Sequence, residues 1–132
     1  MVSMKFSVTW EGLSEFEFAL ANSSGGTRLH ALVALAWQLR QRDSRRALTL
    51  LEQAQRLVVA ASGTSAPNAA LLARMELTRS EVGALSSRVD DAEASLARAR
   101  ILLPCVDDPS LQGDAMLVES TLAKATGDPG RE

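Results

Sequence analysis

The chain has 132 residues, 46% of them apolar and 23% charged, and carries a net charge of −2. That size fits one domain with a single core, and the acidic balance excludes a binder of phosphate backbones, which needs a basic excess. One cysteine rules out an internal disulfide and fits a reducing compartment; no apolar run is long enough to span a membrane and no signal peptide is legible, so we expect a cytoplasmic protein.

Leu and Ala dominate, Tyr is absent and aromatic residues are only 4%, a bias that favours helices. The one exception comes first. Val2, Met4, Phe6, Val8 and Trp10 alternate, which is the strand period. Nothing downstream alternates in the same way. The segment therefore reads as an extended arm over residues 1–11, laid on a helical body or paired with its own copy in a dimer.

Helical patterns follow. Ser14 and Glu17 have capping-box spacing, with Leu13, Phe16 and Leu20 on one face of a short helix that the sequence 22–26, "NSSGG", should close. Leu32, Leu35, Ala36 and Leu39 predict an amphipathic helix over 28–41. Asp43 or Ser44 should cap the next, striped by Ala47, Leu50, Leu51, Ala54, Leu57, Val58 and Ala61. A third carries Leu71, Met75, Thr78, Val82 and Leu85, and a fourth Val89, Ala92, Leu96, Ala99 and Leu103. The last begins with Asp108 as cap and Pro109 at the first position, runs through Leu111, Ala115, Val118, Leu122 and Ala125, and stops at "GDPG". The expected fold class is all-α.

Two of these helices share a pattern. Residues 47–54 read "ALTLLEQA" and residues 92–99 read "AEASLARA", so Ala47, Leu51 and Ala54 correspond to Ala92, Leu96 and Ala99. Small residues at both ends let helix backbones approach, and the leucine fills the space between them. This pattern resembles the second helix of a tetratricopeptide repeat (TPR). Leu35, Ala36 and Leu39 match the large–small–large positions of a first helix, and Pro104 stands where that family usually ends a repeat. The 45-residue spacing from Ala47 to Ala92 exceeds the family's usual 34 or so, and the usual turn glycine is missing, with Ser87 in its place in the second hairpin. The stretch "ALAWQLRQRD" with a following "RA" is similar to divergent helical repeats in bacterial signalling proteins, such as those preceding GGDEF diguanylate cyclase domains.

The resemblance implies antiparallel helical hairpins stacked as a short α-solenoid over residues 12–127, followed by a tail at 128–132. It also implies that the first helix of each pair lines a concave groove. Mapped so, His30, Val33, Trp37 and Arg40 face the groove, with Arg74 and Glu81 as counterparts on the third helix. Trp and Arg are common anchors of protein interfaces.

Catalysis has little support. His30 and Cys105 are each the only residue of their kind and lie in separate elements, and no third group is placed to orient a dyad. No cluster has metal-ligand spacing, and "SSGGT" lacks the lysine of a phosphate loop. Asp90, Asp91 and Glu93 answer the positive end of a helix dipole. Arg42, Arg45 and Arg46 fall in or just after an interhelical turn and read as a solvated charge run. The expectation is a non-enzymatic regulatory module without cofactor or metal, binding a protein or peptide rather than nucleic acid or membrane. The competing expectation is a homodimerisation domain that pairs an output domain beyond these residues.

Overall fold

The computed structural model describes residues 10–61 and 68–127. It contains six α-helices and a short 3-10 turn, Leu103–Cys105, with no strand among the described residues. The helices are α1 (Trp10–Ala21), α2 (Gly25–Leu39), α3 (Ser44–Ala60), α4 (Ala69–Leu85), α5 (Val89–Leu102) and α6 (Pro109–Thr126). The all-α expectation holds. Residues 1–9 of the alternating arm lie outside the described residues, and Trp10, the last of the series, is already helical. The chain divides into two compact units, 1–62 and 63–132, and each is treated by itself.

In the first unit α2 packs on both α1 and α3. Leu29, Leu32, Val33, Leu35, Ala36 and Leu39 of α2 are buried, as are Ala47, Leu50, Leu51 and Ala54 of α3. Two local expectations need correction. Ser14 and Glu17 sit within α1 rather than at its start, because the helix begins at Trp10. Gly25 and Gly26 belong to the first turn of α2 rather than to a loop, with Ser24 at the cap, where the Ser24 N–H donates to Thr27 Oγ1 at 3.4 Å. Arg28 Nη1 donates to the Leu20 carbonyl at 3.1 Å, satisfying one of the acceptors that the end of α1 leaves open. Asp43 caps α3 as expected, its Oδ1 accepting from Arg46 N–H at 3.1 Å.

In the second unit α4 is the central helix, packed on α5 and α6. It is buried nearly all round, including Leu71, Ala73, Met75, Leu77 and Val82, as a helix covered on more than one side must be. Leu85 departs from the predicted stripe and is exposed, because it is the last residue of α4; Ala125, near the end of α6, is exposed too. α4 and α5 approach closely. A Cβ placed on Gly83 would meet Ala92 Cβ and Arg88 O at 3.2 Å, and Ser80 Oγ donates to Ala92 O at 2.8 Å across the same crossing. Asp108 caps α6 through Ser110 N–H, with Pro109 in its first turn, and Gly127 ends it at φ +68.

The α4–α5 turn explains the missing glycine. Arg88 N–H donates to Gly83 O at 2.8 Å and Ser87 N–H to Ala84 O at 3.4 Å, the two bonds of a Schellman motif. That motif needs a left-handed residue, and Ser87 supplies it at φ +62. A serine there bears a steric penalty that glycine lacks. Ser87→Gly should therefore raise stability by about 0.5–1 kcal/mol in denaturant titration. Gly83→Leu, four residues earlier, should lower it by about 2–3 kcal/mol, since the added side chain meets backbone that cannot step aside.

Candidate functional site

The exposed side of α2 carries the residues expected to bind. His30 and Trp37 lie seven residues apart, two helical turns, and so share a face. His30 is exposed and Trp37 half-buried. Arg40 caps the C-terminal end of α2, and its guanidinium lies over the Trp37 ring, 3.5 Å from the centroid. Its Nη1 also donates to the Trp37 carbonyl at 2.8 Å. The helix end, the aromatic ring and the cation thus hold one another in place, a cation–π arrangement strengthened by partial burial.

Val33 is placed differently. It is only 1% exposed and belongs to the core. Leu29, four residues before it and also buried, was the signal: with Leu29 and Ala36 the apolar stripe of α2 is one residue-row wider than the leucines alone suggest.

Arg74 and Glu81, on α4 of the second unit, form a polar seam with α6. Arg74 pairs with Asp114, and Thr121 Oγ1 donates to Glu81 Oε2 at 3.4 Å. Glu81 is 1% exposed, a buried carboxylate that helps lay α6 on α4. Glu76, also on α4, lies between Arg79 and Arg98, 3.3 and 3.2 Å from them. Asp114 and Thr121 had no distinguishing mark in the sequence, because their pairing depends on which helix α6 meets.

The arginine turn is only partly a solvated run. Arg46 makes a two-pronged ion pair with Glu17 of α1, Nη2 to Oε1 at 2.7 Å and Nη1 to Oε2 closer still. The fork-to-fork geometry suits a planar guanidinium facing a carboxylate. Arg46's hydrogen bonds hold the Glu17 carboxyl below its ordinary range, and the same bonds raise the Arg46 pKa. Arg42 and Arg45 are exposed. The backbone between them is pinned: Arg42 and Asp43 N–H donate to Leu39 O at 3.0 and 2.8 Å, and Ser44 Oγ donates to Arg40 O at 3.0 Å.

Cys105 is exposed in the 3-10 turn. Among the described residues no group of three or more His, Cys, Asp or Glu is placed to hold a metal, and no helix is long and apolar enough to cross a membrane. No family model, curated protein or solved structure matches this chain.

The Glu17–Arg46 pair leads to a pH prediction. Glu17 has its pKa depressed in the fold, so its contribution is present above the unfolded value near 4.5 and lost as pH falls through the folded one. Both side chains are 41% exposed, which limits the pair to about 0.5–1 kcal/mol. Glu17→Gln should cost that much at pH 7, and the gap to wild type should close as titrations are repeated below pH 4.5.

Proposed function

We propose that this chain is a non-catalytic protein-interaction module of the TPR-like helical-repeat kind, serving a regulatory role and binding a peptide or partner domain on the outer face of α2. The observation that carries this reading is Arg40 stacked on Trp37 beside the exposed His30. Aromatic and arginine side chains concentrate binding energy because they offer large, stiff contact surfaces. Here each stiffens the other, so little rotamer freedom remains to be lost on binding. The repeat-like reading draws support from the echo between α3 and α5, where Ala47, Leu51, Ala54 and Ala92, Leu96, Ala99 are all buried. The regulatory role, by resemblance to segments of bacterial signalling proteins, follows from the wording of residues 34–47 alone.

A second reading has its own observation. Ile101 of α5 and Met116 and Leu117 of α6 are large, apolar and exposed, which favours a homodimerisation domain that pairs an output domain. A dimer insensitive to substitution at Trp37 and Arg40 would favour it.

The test is a random-peptide display selection against the intact chain. Selected peptides should lose at least about tenfold in affinity on the Trp37→Ala/Arg40→Ala variant, while its helical circular dichroism is retained. Loss of the fold would make Trp37 a core residue, and binders indifferent to both changes would remove α2 as the site.

A further inference from the structure

We propose that the outward face of α6 receives a second copy of this chain, bound antiparallel about the midpoint between Met116 and Leu117. The proposal rests on the homodimerisation reading and adds its surface and geometry; it is independent of the α2 face.

Helical spacing defines the face. Pro109, Gly113, Met116, Leu117, Ser120 and Lys124 follow three- and four-residue steps, so they form one stripe along α6, and all six are exposed. The buried row of Leu111, Ala115, Val118 and Leu122 lies on the opposite side. A surface helix ordinarily turns charges outward there. α3 does so with Glu52 and Arg56, and α5 with Asp90 and Glu93. On α6 the stripe carries no charge before Lys124, and its centre is Met116 and Leu117, 69% and 56% exposed.

The stripe is also symmetric about its own middle. Gly113 stands three residues before Met116 and Ser120 three after Leu117; Pro109 and Lys124 stand seven before and seven after. A two-fold contact asks for this order, because residue i of one copy meets residue j of the other and j meets i. In the antiparallel register the two large pairs meet at the centre. Gly113 then faces Ser120 at both ends, small against small, so the backbones can approach. A Cβ placed on Gly113 meets nothing within 4 Å, so the space above it is open.

Charge selects the orientation. The antiparallel register carries Lys124 of each copy to the level of Pro109 in the other, beside Asp107 and Asp108. A parallel register would set Lys124 against Lys124 and acids against acids. The acids that border the stripe are engaged within the chain, Asp114 by Arg74 of α4 and Glu119 by Arg100 of α5. Their charges are answered before a second copy arrives. The competing occupant is an apolar helix of another protein, but such a partner has no need of a symmetric stripe. One face of an 18-residue helix, about 27 Å long, covers less than the roughly 800 Å² per partner of a standard interface, so the dimer dissociates in the micromolar range.

The experiment measures the mass of the intact chain by light scattering from about 5 to about 500 µM. The mass should rise from one chain to two across that range. Met116→Glu/Leu117→Glu places like charges at the two-fold and should raise the dissociation constant at least about tenfold. Both positions are exposed, so the variant should keep its helical spectrum. Phe18→Glu, at a similarly exposed position in the first unit, should leave the dimer intact. Orientation is read in a Cys105→Ser background, where oxidation should join Gly113→Cys chains to Ser120→Cys chains several-fold more than either to itself. A dimer unaffected by the double change on α6, or lost equally in Phe18→Glu, would overturn this surface and leave the homodimerisation reading standing. Self-linkage of each cysteine variant would overturn the antiparallel register. A monomer throughout would remove the proposal and the homodimerisation reading together.

Discussion

Close approach of helix backbones is the constraint on which each unit depends. Ala36, Ala47 and Ala54 in the first unit, and Ala73, Ala92 and Ala99 in the second, are wholly buried. A buried alanine contributes little area of its own, so these positions stabilise by what they allow: Leu51 and Leu96, between them along α3 and α5, are buried as well. Gly83 takes the principle further: a Cβ there would lie only 3.2 Å from Ala92 Cβ and from Arg88 O, so a neighbour would have to give way by a few tenths of an ångström. Ser80 can reach the Ala92 carbonyl only because the axes are that close. Packing of this kind also explains how a chain with so few aromatics makes two cores.

Polar groups then decide which helix lies where. In the second unit, Arg74–Asp114 and Glu81–Thr121 join α4 to α6, Glu76–Arg98 joins α4 to α5, and Arg100–Glu119 joins α5 to α6. Among the described residues of the first unit, Glu17–Arg46 is a clasp of comparable form. A carboxylate as enclosed as Glu81 is costly to bury, so these pairs contribute more to the choice of arrangement than to net stability. The same division of labour reaches the surface. Arg46, Arg74, Arg98 and Arg100 are paired across helices, and the corner between α2 and α3 has its backbone fixed by bonds to Leu39 O.

Much of this could be read from residue order. The buried rows Ala47, Leu50, Leu51 and Ala54 of α3, Ala92, Leu96 and Ala99 of α5 and Leu111, Ala115, Val118 and Leu122 of α6, with the caps Asp43 and Asp108, follow local rules. The predicted stripe ends Leu57, Val58 and Ala61 of α3, Val89 of α5 and Ala125 of α6 are not buried, because they lie towards the helix ends. Ser87 was legible as the place of an absent glycine, and its left-handed backbone gives that substitution a physical meaning. What could not be read was pairing at a distance. Ser14 and Glu17 have the spacing of a cap, and only the arrival of Arg46 reveals Glu17 as one half of an ion pair. Val33 shows the same limit: its position on the helix wheel borders the stripe, and the packing around α2 decides its burial. Of the six residues assigned to a groove, His30, Trp37 and Arg40 share the outer side of α2, Val33 is core, and Arg74 and Glu81 engage α6.

The central claim, that small residues at the crossings set the helix pairs, is most directly tested on α5 itself. Ala92 is wholly buried and Ala97 is exposed on the same helix, so the same substitution at each separates packing from helix propensity. In urea titrations Ala92→Leu should lose about 2–3 kcal/mol while Ala97→Leu stays within about 0.5 kcal/mol of wild type. Equal stability of the two variants would contradict the account.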